Sequence, residues 1–95
     1  MDRQIQKLKL LVERYMYFSK ADLLKTLGKP NKKSDDFTWF YIRRRWGVFK
    51  EERIFIFHQD KVVDICILQY IAGIEFRNMF YYENQDPEYR TIRLL

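Results

Sequence analysis

The chain has 95 residues, 47% of them hydrophobic and 18% aromatic, and a net charge of +5. This is enough for one domain with a packed core and too little for two, and the even spread of bulky apolar residues argues against disorder. No run approaches the ~18 apolar residues of a membrane span, and a single cysteine, Cys66, allows neither an intrachain disulfide nor a thiolate metal cage.

Charge is unevenly placed. Residues 1–50 carry 13 Lys and Arg against 5 Asp and Glu (+8), and residues 51–95 carry 5 against 8 (−3). A basic surface able to attract an acidic partner follows, although lysine-rich outer faces of helices give the same balance. The opening stretch MDRQIQKLKLLVERY is charged throughout and has no uninterrupted apolar region of the secretory type. It predicts a cytoplasmic protein.

From Arg3 to Phe18, the residues Ile5, Leu8, Leu11, Val12, Tyr15 and Met16 recur at three- and four-residue steps, one face of a helix. Ser19 reads as the N-cap of a second, short helix over Lys20 to Leu27, with Asp22 placed for a capping box. Its apolar face is Ala21, Leu23, Leu24 and Leu27. Gly28 suits the left-handed C-terminal position, and Pro30 forbids continuation.

After the polar loop NKKSDD the register changes to that of strands. FTWFYIR (37–43), RIFIFH (53–58) and KVVDICILQYI (61–71) are rich in aromatic and β-branched residues. Only Gln59 and Asp60 need lie in the turn between the last two, which predicts an antiparallel hairpin. The turn has no glycine, so a longer loop over His58 to Lys61 stays open as an alternative. Ala72-Gly73 breaks the third run. IEFRNMFYY (74–82) alternates as a fourth strand with helix as the alternative, and YRTIRLL (89–95) is a last edge strand or a tail.

Helices first and antiparallel strands after them predict an α+β domain over residues 1–95, with two N-terminal helices on one face of an antiparallel sheet of three to five strands. Leu8, Val12, Leu24, Leu27, Phe40, Ile54, Ile56 and Ile65 are the expected core. Both alternating sets of the second strand are apolar, so the pattern does not decide whether Ile54/Ile56 or Phe55/Phe57 faces the helices. Whichever face is left over needs cover, and a second copy of the chain is one source, giving a homodimer.

The order SKADLLKTLGKP, polar loop, DDFTWFYI, charged stretch, RIFIFHQDKVVDI resembles the SmpA/OmlA (BamE) family of bacterial outer-membrane lipoproteins and the wider group with the fold of β-lactamase inhibitor protein. The matching positions are Leu27, Gly28, Pro30, Trp39, Phe40, Tyr41, Phe57, Asp60, Val62 and Ile65, and the resemblance covers about residues 18–68. It implies a non-catalytic scaffold whose sheet face and loops bind other proteins. An envelope-assembly lipoprotein domain lacking its signal segment is one form of that reading.

Catalytic chemistry has little to draw on. His58 is the single histidine and stands at a strand end; Cys66 lies in the apolar run DICIL and reads as a small core residue. No HExxH, CxxC or phosphate-binding glycine loop is present. Asp35-Asp36 and Glu51-Glu52 are adjacent pairs. Neighbours on a strand point to opposite faces, and in loops such pairs are solvated charge. No catalytic residue, metal ligand or cofactor is expected.

One stretch stands out. WFYIRRRWGVFK (39–50) places Trp39, Tyr41, Arg43, Arg44, Arg45 and Trp46 together. By alternation Trp39, Tyr41 and Arg43 share one face, expected to be the sheet face away from the helices, as a cluster of the residue types enriched in binding hot spots. The favoured reading is a non-enzymatic protein-interaction module, of the kind that binds and blocks a toxin or enzyme, as an inhibitor or immunity protein does. The alternatives are a purely structural strand with a solvated basic end, and a nucleic-acid-binding module, in which the rings stack on bases and the arginines meet phosphates.

Overall fold

A computed structural model describes residues 3–44, 47–81 and 88–91. Two helices, α1 (Arg3–Tyr15) and α2 (Lys20–Leu27), precede five strands: β1 (Thr38–Arg44), β2 (Phe49–His58), β3 (Lys61–Ile71), β4 (Ile74–Tyr81) and β5 (Glu88–Thr91). The strands form one sheet in sequence order, each antiparallel to the next. The fold is α+β, with both helices packed on one face.

Helix α1 lays Leu8, Leu11 and Tyr15 into the core and leaves Val12 and Met16 half-buried, as its periodicity requires. It ends at Tyr15, earlier than the apolar pattern indicates, because Tyr17 takes a left-handed backbone (φ 66°). The junction is fastened to the sheet. The Tyr17 N–H donates to the Val62 carbonyl at 2.9 Å, and the Val62 N–H donates to the Phe18 carbonyl at 2.9 Å. Ser19 caps α2 by accepting from the Asp22 N–H at 3.1 Å. At the other end Gly28 (φ 83°) donates its N–H to the Leu24 carbonyl at 2.8 Å, closing the helix as a glycine at this position does. An eight-residue helix buries one narrow stripe: Leu23 is inside and Leu27 half-buried. Leu24, expected in the core, is 47% exposed.

The β2–β3 connection is a two-residue turn. Gln59 (φ 50°) and Asp60 (φ 61°) are both left-handed, the twist that suits a tight hairpin, so no longer loop is needed despite the missing glycine. Ala72 (φ 52°) and Gly73 (φ 79°) repeat the device before β4, which is strand rather than helix. Residue 82 and residues 92–95, which the sequence placed in the last two runs, lie outside the described residues.

Strand β2 starts at Phe49, four residues earlier than its apolar run. The charged segment Lys50–Arg53 is therefore strand, not loop. Glu51 and Glu52 are not solvated; they point to opposite faces and are each buried. Asp35 is not a bare loop charge either. Its Oδ1 accepts the N–H groups of Phe37 and Thr38, both at 2.8 Å, and these bonds hold its carboxyl below the ordinary carboxylate range.

The register decides which face is covered. Trp39 pairs with Phe55, Phe55 with Ile65, Arg53 with Ile67, and Ile67 with Met79. These residues share the side of Leu8, Leu11, Tyr15 and Leu23. Phe55 is fully buried, with edge-to-face contacts of 5.7 Å to both Tyr15 and Tyr41. Trp39, Tyr41 and Arg43 thus stand on the helix side of the sheet, the reverse of the sequence expectation. Phe40, Ile42, Ile54 and Ile56 belong to the opposite face, which no described helix covers.

Candidate functional site

At the β1 edge, the chain leaving α2 and the flank of α1 enclose a groove of about 410 Å³. Its floor is apolar: Leu11, Tyr15 and Phe55 are buried, and Leu27 is half-buried. Tyr41 crosses it, with its ring packed at 5.7 Å on Phe55 and its hydroxyl donating to the Gly28 carbonyl at 2.8 Å. Burial pushes the Tyr41 phenol up, so it stays a neutral donor to that carbonyl. The Leu27-Gly28-Lys29-Pro30 segment builds one wall: glycine ends the helix, and proline turns the chain away along the edge.

The rim is cationic. Lys29 and Arg43 are exposed at the groove, Arg53 is half-buried, and among the described residues the lining contains no Asp or Glu. Arg53 donates its Nε to Glu51 Oε2 at 3.2 Å. Arg43 has no ion-pair partner among the described residues. Arg53 escapes a reading of the basic-aromatic stretch alone, because it comes from a segment that only the fold brings beside it.

Of the six residues singled out in the sequence, the structure brings Tyr41 and Arg43 to this groove. Trp39 lies two residues along the same face, half-buried, with its ring 5.1 Å from Phe57. Arg44 is exposed but projects from the other face, in register with Lys50. Arg45 and Trp46 lie outside the described residues. The described part of the arginine run is therefore split across two faces of the sheet.

Next to the groove, Glu51 anchors a buried polar string. Lys7 Nζ lies 2.7 Å from Glu51 Oε1, Gln69 Nε2 donates to the same oxygen at 2.9 Å, and Arg77 Nη1 donates to Gln69 Oε1 at 3.1 Å. Burial by itself pushes the Glu51 carboxyl up. The bonds from Lys7 and Gln69 and the charges of Lys7 and Arg53 outweigh it and hold the group below the ordinary range. Such a carboxylate is a structural anion and a poor proton acceptor.

The uncovered sheet face carries Phe40, Ile42, Ile56, Cys66, Leu68 and Phe80, all half-buried. Glu52 sits among them at 3% exposure, paired with Lys33 at 3.1 Å and Lys50 at 3.3 Å. Both lysines also lie over rings, Lys33 on Phe40 and Lys50 on Tyr70. Burial, with help from the Asp64 charge, raises the Cys66 thiol to about 11. Cys66 stands opposite Ile54, four residues along the strand from His58, or about 13 Å, so the two are not brought together. Among the described residues no group of three His, Cys, Asp or Glu side chains is placed to hold a metal ion, and no helix is long and apolar enough to cross a membrane. No protein-family model matches the chain, and comparisons with curated proteins and with solved structures give no match.

Proposed function

We propose that this chain is a non-enzymatic protein-interaction module that receives an acidic surface of a partner in the groove beside β1. The observation that carries the reading is the groove itself. An apolar floor of Leu11, Tyr15, Leu27 and Phe55 sits beneath Lys29, Arg43 and Arg53, with no acidic side chain among the described lining residues. A concave apolar site with a few convergent charges is the usual form of a recognition site, and an all-cationic rim selects anions. Occupation of a partner's surface is how an inhibitor or immunity protein blocks a toxin or enzyme, and that is the role proposed, in the cytoplasm. The order of helix, tight junction, helix and antiparallel sheet supports kinship with SmpA/OmlA (BamE)-like domains as part of the proposal.

The nucleic-acid alternative draws less support from the geometry. Trp39 and Tyr41 are engaged edge-to-face with Phe57 and Phe55, not laid open as stacking platforms. A photo-crosslinking amino acid at position 29, in the cells that make the protein, tests the proposal. The expected result is a discrete protein adduct that disappears in Arg43→Glu. An adduct dissolved by nuclease, or no adduct at all, refutes it.

A further inference from the structure

Resting on the reading of the groove as a protein-binding site, we propose that the partner enters as an extended acidic segment. It adds a strand to the β1 edge at Ile42 and Arg44, with an apolar side chain in the groove and carboxylates against Lys29 and Arg43.

Strand β1 is an edge of the sheet. In an antiparallel pair, alternate residues turn their backbone groups toward the partner strand and the others turn outward. The Phe57 N–H donates to the Phe37 carbonyl at 2.8 Å, so the odd-numbered residues face β2. Thr38, Phe40, Ile42 and Arg44 therefore face out. The loop before β1 covers the first two. Asp35 exchanges bonds with Thr38, its N–H meeting the Thr38 carbonyl at 3.0 Å and its Oδ1 the Thr38 N–H at 2.8 Å. Asn31 donates to the Phe40 carbonyl at 2.7 Å, and Ser34 Oγ accepts the Phe40 N–H at 2.8 Å.

This cover stops at Phe40, where the chain runs back through Pro30 to the end of α2. Among the described residues, nothing meets the outward N–H and C=O of Ile42. The groove opens at this point. The Ile42 side chain points to the opposite face, so what Ile42 adds to the groove wall is backbone. Sheet proteins cover or charge edges to prevent unselective pairing. Here one half is covered by four hydrogen bonds, and the other half carries the exposed Arg43 and Arg44 beside an apolar groove, a charge that repels basic strands and favours acidic ones.

Charge and register select the occupant. A residue opposite Tyr41 is directed to the helix side, over Phe55 and beside Leu27; one opposite Arg43 is directed to the same side at the cationic rim. The first site takes an aliphatic or aromatic side chain and the second an Asp or Glu. Arg44 receives a further carboxylate on the other face. Backbone bonds at Ile42 supply register, and alternate side chains supply specificity, as in other strand-addition complexes.

The test is selection from a linear random-peptide library on the immobilised full-length chain, followed by amide exchange and backbone N-methylation of the winning peptide. Expected are peptides with acidic residues flanking an aliphatic or aromatic one. They slow exchange of the Ile42 amide about tenfold or more, tolerate N-methylation only at alternate positions, and lose about thirtyfold in affinity to Arg43→Glu. Peptides that bind and depend on Arg43, yet leave the Ile42 amide exchanging freely, overturn strand addition and leave the groove reading standing. Selection of no peptide, or only of peptides indifferent to Arg43→Glu, overturns both.

Discussion

Lys7 and Glu51 join α1 to the sheet across the covered face, with Nζ and Oε1 2.7 Å apart and the carboxylate wholly out of solvent. Glu52, one residue on, is as nearly buried on the opposite face but has two lysine partners, Lys33 and Lys50. The two sites differ in how they tolerate the loss of a cation. Lys7→Met strips the 2.7 Å bond from a carboxylate that water does not reach, leaving Gln69 and Arg53, and is expected to cost about 1–3 kcal/mol. Lys33→Met leaves Lys50 on Glu52 and removes the charge of a side chain that is itself 46% exposed, so its cost is expected to be about 0.5 kcal/mol. Urea denaturation of the two variants checks the order.

The same carboxylate sets an acid limb. Glu51 is held below its ordinary value of 4.5 in the folded chain and returns to it on unfolding. A depressed folded value stabilises the fold at pH above the unfolded value, and that contribution is lost as pH falls through the folded one. Stability is therefore expected to decline as pH drops below about 4.5. In Glu51→Gln this part of the decline disappears, because the amide does not titrate. Unfolding midpoints between neutral pH and about pH 3 decide the matter; an unchanged acid limb in the variant contradicts the assignment.

Core truncations separate the true core from the one read in the sequence. Phe55→Ala removes a fully buried ring held between Tyr15 and Tyr41 and is expected to cost about 3–5 kcal/mol. Leu24→Ala touches an exposed side chain, and a change within about 0.5 kcal/mol is expected. Comparable losses from the two variants contradict the packing described.

The element order was legible because its signals are local: Ser19 before a short apolar face, Gly28 and Pro30 after it, and a gap of only Gln59 and Asp60 between two alternating strands. The choice of sheet face was not. Ile54/Ile56 and Phe55/Phe57 are equally apolar, and the covered face also carries Glu51, Arg53, Gln69 and Arg77, which by composition argue for solvent. That face is habitable because Lys7 arrives from a helix 44 residues away in sequence, a long-range pairing that no short-range pattern encodes. The groove was hidden for the same reason. Tyr41 and Arg43 were singled out, but Leu27 and Arg53 join them only in the fold.

The uncovered face gives a prediction about association. Phe40, Ile42, Ile56, Cys66, Leu68 and Phe80 form an apolar surface backed by β1 to β4, and surfaces of this kind are usually contact sites. A second copy is the proposed cover. Sedimentation at tens of micromolar, roughly the scale of weak interfaces, is expected to show a dimer, and Leu68→Glu a monomer with unchanged secondary structure. Cys66, with its thiol raised to about 11, is expected to resist alkylation near neutral pH in both forms. A wild-type monomer at that concentration contradicts the dimer.

Salt dependence distinguishes a protein partner from nucleic acid. Binding to phosphates releases counterions, and the slope of log affinity against log salt is about −0.9 per phosphate contact on duplex DNA. Were Lys32, Lys33, Arg43 and Arg44 one surface, the slope would approach −4 by that rule. In the fold they are not one surface. Lys33 is bound to Glu52 and lies over Phe40, and Arg43 and Arg44 leave opposite faces of β1. Weak oligonucleotide binding with a slope no steeper than about −2 is therefore expected, for single strands and duplexes alike. A protein partner held partly by the apolar floor of the groove loses less to salt, and Arg43→Glu is expected to cost it about 2 kcal/mol, the scale of an interface anchor. Tight oligonucleotide binding with a slope near −4 reverses the assignment, because it requires the cations to converge in a way this sheet does not arrange.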